Sequence, residues 1–180
     1  QTQSVNRKKM LFEIKNLSKT IGGKQLFRDF NARVLQGERI AIVGRNGSGK
    51  STLFMILAGL LAPKSGEMFA DDTKITESNL KSYANTISAV FSDFYLFDEV
   101  MSDDEALIEG LLKKMSIENK VSVKEGNFST LNLSQGQKKR LAMVAALLEK
   151  RKFLILDECA ADQDPEFRRH LYTEFLPELK

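Results

Sequence analysis

Apolar and charged residues mix in a strand-like way from Met10 to Leu17, and a second extended segment runs around Leu26 to Leu35 after a turn at Gly22-Gly23. Together they predict an antiparallel β layer. Gln36-Gly37-Glu38 then turns the chain into the apolar run Ile40-Ala41-Ile42-Val43, which predicts a buried strand at 39–43. Ser51 to Leu61 has the apolar spacing of a helix ended by Pro63 and Gly66, so strand, turn and helix follow one another as in the first unit of a parallel sheet. A short strand is predicted near Ile87 to Phe91. Ser102 with Glu105 forms a capping-box pattern that opens a helix through Lys114, and the middle third reads as mainly helical. Leu141 to Glu149 predicts a helix and Phe153 to Leu156 a short buried strand. Pro165 starts a last helix with Asp164 as its N-cap. No internal repeat or low-complexity segment interrupts this order.

Composition sets bounds on that outline. A chain of 180 residues with 42% apolar residues suits one domain with a real core. With 27 basic against 24 acidic residues the net charge is +3, which makes no case for nucleic acid. The basic clusters Arg7-Lys8-Lys9 and Lys138-Lys139-Arg140 read as solvated faces. The single cysteine, Cys159, allows no internal disulfide and suits a reducing compartment. Gln1 to Met10 is polar and basic with no apolar segment behind it, unlike a signal peptide. The longest apolar run is the eight residues from Leu141 to Leu148, far below the roughly 18 needed to cross a bilayer. The chain is therefore expected on the cytosolic side, spanning no membrane by itself.

The turn after 39–43 carries the first candidate chemistry: Gly44-Arg45-Asn46-Gly47-Ser48-Gly49-Lys50-Ser51 fits a phosphate-binding loop set between a strand and a helix start. Its glycines let successive N–H groups point inward at phosphate oxygens, while the helix presents its positive end to the same anion. Lys50 would reach the β and γ phosphates and Ser51 would hold magnesium. A glycine-rich turn without a ligand is the bland alternative, and Lys-Ser-Thr opening an apolar helix disfavours it. A nucleoside triphosphate is the expected ligand.

Phe153 to Leu156 leads into Asp157-Glu158 at the end of a predicted buried strand, where an open α/β sheet places its ligand site. Asp157 would bind magnesium through its water shell, and Glu158 could orient and deprotonate the attacking water. Between the two constellations lies Leu133-Ser134-Gln135-Gly136-Gln137, at the start of a helix. On local physics alone this is an ordinary capped helix, or a second anion site with no lysine of its own.

The order of phosphate loop, Leu-Ser-x-Gly-Gln and apolar strand with Asp-Glu resembles the ATP-binding cassette (ABC) family, over nearly the whole chain from about residue 10. Asp157 to Arg169, with Val90-Phe91-Ser92-Asp93-Phe94 and Leu96-Phe97-Asp98, is similar to the branch that exports cyclic peptides and siderophore peptides. The resemblance implies an α/β phosphate-loop ATPase with a mostly parallel sheet core, an N-terminal antiparallel β layer and a small helical subdomain. Residues 1–9 would be a tail or linker, 10–85 and 140–180 the core with its β layer, and 92–139 the helical subdomain and signature. It further implies that two copies close head to tail. Gly44 to Thr52 would hold ATP in cis, and Ser134 with Gly136 would contact the γ-phosphate in trans, within a nucleotide-binding segment that includes Gln135 and Gln137. Asp164 would sit in the loop that communicates across that dimer. Glu158 and Lys50 would serve hydrolysis, and Ser51, Asp157 and Ser92 would surround magnesium. The implied partners are ATP, a second copy and a transmembrane domain in the parent chain or another subunit, at the cytoplasmic face of the membrane. No nucleic acid is expected.

Several residues depart from the family pattern. Ser92 stands where a glutamine is usual, although the exporter branch shares a small hydroxyl there. Ile21 replaces an aromatic that stacks on adenine, which puts base preference in question, and Cys159 follows the glutamate where proline or tryptophan is common. The switch histidine expected after one more strand is absent, and His170, inside the last predicted helix, is not that residue. The chain is accordingly expected to be a fragment of an exporter ATPase. The competing expectations are a soluble cassette protein acting on ribosomes or nucleic acid, and a regulatory module that senses ATP without hydrolysing it.

Overall fold

The computed structural model describes residues 9–179, in a first unit that ends at Asn85 and a second that begins at Thr86. Of the expected tail at 1–9, residues 1–8, Arg7 and Lys8 among them, lie outside the described residues.

In the first unit, β1 (Met10–Ile21) and β2 (Lys24–Leu35) form the predicted antiparallel layer, in register from Met10 opposite Leu35 to Ile21 opposite Lys24. Phe12 and Ile14, two residues apart, are buried on one face, yet Leu17 is buried too. Strict alternation would send Leu17 to the other face. The ladder slips between Ile14 and Leu17, where Asn16 takes a φ of 51°, and the irregularity restores Leu17 to the core.

The layer is larger than expected. β3 (Ser65–Ala70) adds to β1, and β4 (Thr73–Lys74) to β3, giving the order β2-β1-β3-β4. Ser65-Gly66 reads as turn chemistry, which hid the start of β3. The helix α1 (Lys50–Leu57) ends before the predicted Leu61. Gly59, at φ 75°, closes it: its N–H bonds to Ile56 O at 3.0 Å and the Leu60 N–H to Met55 O at 2.8 Å, the Schellman pattern. A short helix, α2 (Leu80–Ala84), was not anticipated. Its Tyr83 stacks on Phe12, and its hydroxyl donates to Leu57 O at 2.5 Å, satisfying a carbonyl at the end of α1.

The buried strand expected at 39–43 is not formed: the segment joins no ladder, and Val43 is 92% exposed. An apolar run of this kind becomes a strand only where neighbours flank it. The sheet of the first unit pairs its own strands antiparallel without admitting it.

The second unit opens with β5 (Ile87–Val90). The middle third is less helical than predicted. It holds one full helix, α3 (Glu105–Lys114), and a small hairpin of β6 (Val123–Lys124) and β7 (Asn127–Phe128). The cap of α3 is Asp104, which accepts the Leu107 N–H at 3.0 Å, and not Ser102, whose hydroxyl accepts from the Asp104 N–H. Ser102 lies two residues too early and makes a local turn instead.

Next comes α4 (Gln135–Leu148), beginning earlier than the predicted Leu141 because its first turns are polar and carry no apolar periodicity. β8 (Phe153–Leu156) pairs parallel with β5, in register from Ile87 opposite Phe153 to Val90 opposite Leu156. The last helix is α5 (Pro165–His170), continued by a π-helical turn, Leu171–Phe175, and the short α6 (Leu176–Glu178). Ile108, Leu112, Met115, Leu141, Val144 and Leu171 are central to the core of this unit. Among the described residues no helix is long and apolar enough to cross a membrane.

Candidate functional site

The glycine loop and α1 are continuous. Gly49 caps the helix at φ 90°, a left-handed conformation, and a Cβ there would stand 3.0 Å from the Leu26 Cβ, so both backbone and space favour glycine. The first helical bond runs from Leu53 N to Gly49 O at 2.8 Å. The N–H groups of Lys50, Ser51 and Thr52 therefore have no carbonyl behind them in the helix, and they sit at its positive end. Within the loop, Ser48 N bonds to Arg45 O at 3.1 Å. The Lys50 ammonium folds over the turn and donates to Gly44 O at 2.6 Å and Arg45 O at 3.1 Å. The N–H groups of the first helical turn and the Lys50 ammonium folded over the loop thus offer donors that suit a phosphate chain. Ile21, at the tip of β1, is half exposed.

In the second unit, Asp157 follows β8 and is 2% exposed. Its N–H bonds to Val90 O at 2.8 Å, extending the β5–β8 pairing. Its Oδ2 is buried with no hydrogen-bond partner among the described residues. A buried polar atom left unpaired costs about 1–3 kcal/mol, more for a charged group. A hydrated cation would satisfy that oxygen, so the residue fits magnesium. Glu158 turns sharply to φ 52° and leaves its carboxylate exposed beside the buried aspartate. The adjoining Cys159 is buried, and desolvation pushes its thiol pKa up. Ser92 lines an open hollow of about 490 Å³ with Asp93, Phe94, Gln135 and Lys138 among its neighbours.

Ser134 is the N-cap of α4 in a complete capping box. Its Oγ accepts the Gln137 N–H at 3.3 Å, and Gln137 Oε1 accepts the Ser134 N–H at 3.1 Å. Gly136 has a packing reason to be glycine: a Cβ would run into the carbonyl oxygen of Asp162. Gln163 Nε2 donates to Gly136 O at 3.1 Å. Asp164 caps α5 by accepting the Phe167 N–H at 2.8 Å, and its other oxygen takes Arg140 Nη2 at 2.5 Å. Those two bonds, the backbone one first, hold its pKa below the usual carboxylate value.

Two residues read from sequence as a solvated face are otherwise placed. Lys139 is 3% exposed, and Arg140 lies with its guanidinium carbon 3.6 Å from the Phe167 ring centroid while its Nε donates to Gln163 at 2.8 Å. The signal for this was spacing: Gly136, Lys139 and Arg140 fall at i, i+3 and i+4, one face of a helix that starts at Gln135. His170 is packed between Glu174, 3.0 Å from its Nδ1, and the Lys114 carbonyl, 2.9 Å from its Nε2.

A glycine loop feeding a helix start, with an acidic pair at the end of a parallel strand, defines a nucleotide-binding domain of the phosphate-loop class. The sequence model of the ABC transporter family matches residues 27–161. The chain is 44% identical over 151 residues to the ATP-binding protein SyrD of Pseudomonas syringae pv. syringae, covering 80% of this chain and 27% of that protein. It is 32% identical over 169 residues to the spermidine/putrescine import ATP-binding protein PotA of Methylococcus capsulatus, covering 88% of this chain and 43% of the relative. The fold resembles that of a bacterial Atm1-family ABC exporter solved with ATP bound, with a TM-score of 0.74 at 23% identity, over 94% of this chain and 32% of that one. The chain belongs to the ABC transporter family, as an ATP-binding domain. It spans less than half the length of these two relatives.

Proposed function

We propose that this ATPase domain powers export of a peptide or siderophore-like compound, by pairing head to tail with a second copy when ATP binds. The unpartnered, buried Oδ2 of Asp157, beside the exposed Glu158 at the end of β8, is the observation that carries the hydrolytic part of this reading. Asp157 would hold magnesium with Ser51 and Ser92. Magnesium, when bound, neutralises phosphate charge and orients the phosphate oxygens. The loop amides from Gly44 to Thr52 bind the phosphates, and Lys50 exchanges its bonds to Gly44 and Arg45 carbonyls for phosphate oxygens. Glu158 accepts the proton of the attacking water as a general base. Ser134 and Gly136, at the positive end of α4, complete the phosphate contacts of the partner copy.

Export, rather than only ATP turnover, is supported by the likeness of residues 157–169, 90–94 and 96–98 to the peptide-exporter branch. The membrane path belongs to a transmembrane domain, in the same polypeptide or a partner, with this domain at the cytoplasmic face. Similarity to PotA favours a second reading, import, and the direction of substrate movement in sealed vesicles separates the two.

Glu158→Gln tests the hydrolytic assignment in the full-length protein. ATP turnover should fall at least about 100-fold, the scale of a general base, while an ATP-bound dimer persists in size-exclusion chromatography. Wild-type turnover in this variant would remove Glu158 from its role.

A further inference from the structure

We infer that Lys139 is a positioning residue for hydrolysis: its buried ammonium clamps both ends of the turn that carries Glu158. This inference rests on the assignment of Glu158 as general base. The turn begins and ends in strained backbone, because Glu158 at φ 52° and Asp162 at φ 62° both occupy the left-handed region that favours glycine. Neither is glycine, so surrounding contacts must hold the shape.

Lys139 supplies them from α4. Its Nζ donates to the Glu158 carbonyl at 3.2 Å and lies 3.6 Å from Asp162 Oδ2. A lysine with only 4% of its side chain exposed is costly to bury without partners, and these two are the partners it has been given. The turn is closed internally by the Ala161 N–H on the same Glu158 carbonyl, at 2.9 Å. That oxygen thus receives two donors, one from the turn and one from the helix.

The same helix face adds two further grips. Gly136 admits the Asp162 carbonyl where any side chain would block it, and Arg140 holds Gln163 and Asp164 just beyond. One face of α4, from Gly136 inside the Leu-Ser-x-Gly-Gln segment to Arg140 just after it, therefore holds the stretch from Glu158 to Asp164. Among the described residues the carboxylate of Glu158 has no hydrogen-bond partner to aim it, so its direction is set by this backbone.

The test compares Lys139→Met, which keeps the apolar stem and removes the donor, with Lys139→Gln, which retains an N–H donor, in the full-length protein. Loss of the clamp should lower kcat about 10- to 100-fold, the scale of misplacing a catalytic group by about 1 Å, with the KM for ATP within about twofold. Lys139→Gln should retain more of kcat than Lys139→Met. In nucleotide-free protein, amide hydrogen exchange across 158–164 should speed up by at least about tenfold in Lys139→Met, as a local opening made easier. Unchanged exchange, or a wild-type kcat in Lys139→Met, would overturn the inference. A loss confined to KM would do the same. If Lys139→Met does not fold, Lys139→Leu, which also removes the donor, reads the same three quantities. The exchange measurement reports the clamp and Glu158→Gln turnover reports the base, so the two assignments fail separately.

Discussion

Asp164 gives both carboxylate oxygens to its own chain, one to the Phe167 N–H and one to Arg140. Its depressed pKa means that its contribution to stability is present above the unfolded value of about 3.9 and is lost as pH falls through the lower folded value. Asparagine caps helices as well as aspartate does but cannot pair with Arg140 in the same way. Thermal melts from pH 7 downward should therefore show wild type more stable than Asp164→Asn near neutrality, with the gap closing below about pH 4; a gap that ignores pH would show that the ion pair contributes nothing. Cys159 offers a second check at this scale. Buried, with its thiol pKa raised, it should react with iodoacetamide far more slowly in the folded protein than in urea, and equal rates would contradict its placement. Lys50, Ser51, Asp157 and Glu158 stand out in the sequence because phosphate and metal chemistry would dictate residues of their type at that spacing. Lys139 does not, since a charged residue in a basic run reads as solvated unless the start of its helix is known.

Among the elements, α4 shows how that start was missed. Its initial turns, Gln135 to Arg140, are polar, so apolar periodicity placed the helix at Leu141, while the cap at Ser134 marks the true beginning. Ser134→Ala removes the capping box and should cost about 1 kcal/mol of stability. Leu141→Ala, in the fully buried stretch of the same helix, should cost about 2–5 kcal/mol. Chemical denaturation ranks the two, and a larger loss at Ser134 would mean that α4 is held by its cap rather than by packing. Other elements escaped for different reasons. β3 begins in residues that favour turns, and β6 and β7 have two residues each, too short for any periodicity. The run at 39–43 was misread in the opposite sense: its apolar character is plain, but strand formation depends on neighbours that local sequence does not specify.

At the scale of the whole molecule, the order of the motifs identified the family before any element was built, because glycine loop, Leu-Ser-x-Gly-Gln and Asp-Glu occur together across the chain. The family match over residues 27–161 bears out that order. What local sequence could not supply was the packing that ties the signature helix to the turn after β8, since it depends on contacts between residues some twenty positions apart. The central claim, that the glycine loop and Lys50 bind ATP, is tested most directly by equilibrium titration of ATP into wild-type protein and Lys50→Ala. A charge-assisted hydrogen bond is worth about 1.5–3 kcal/mol, which corresponds to roughly 10- to 100-fold in affinity. The account predicts saturable one-to-one binding to wild type, weakened by at least about tenfold in Lys50→Ala on that scale. Equal affinity in the two proteins would contradict it.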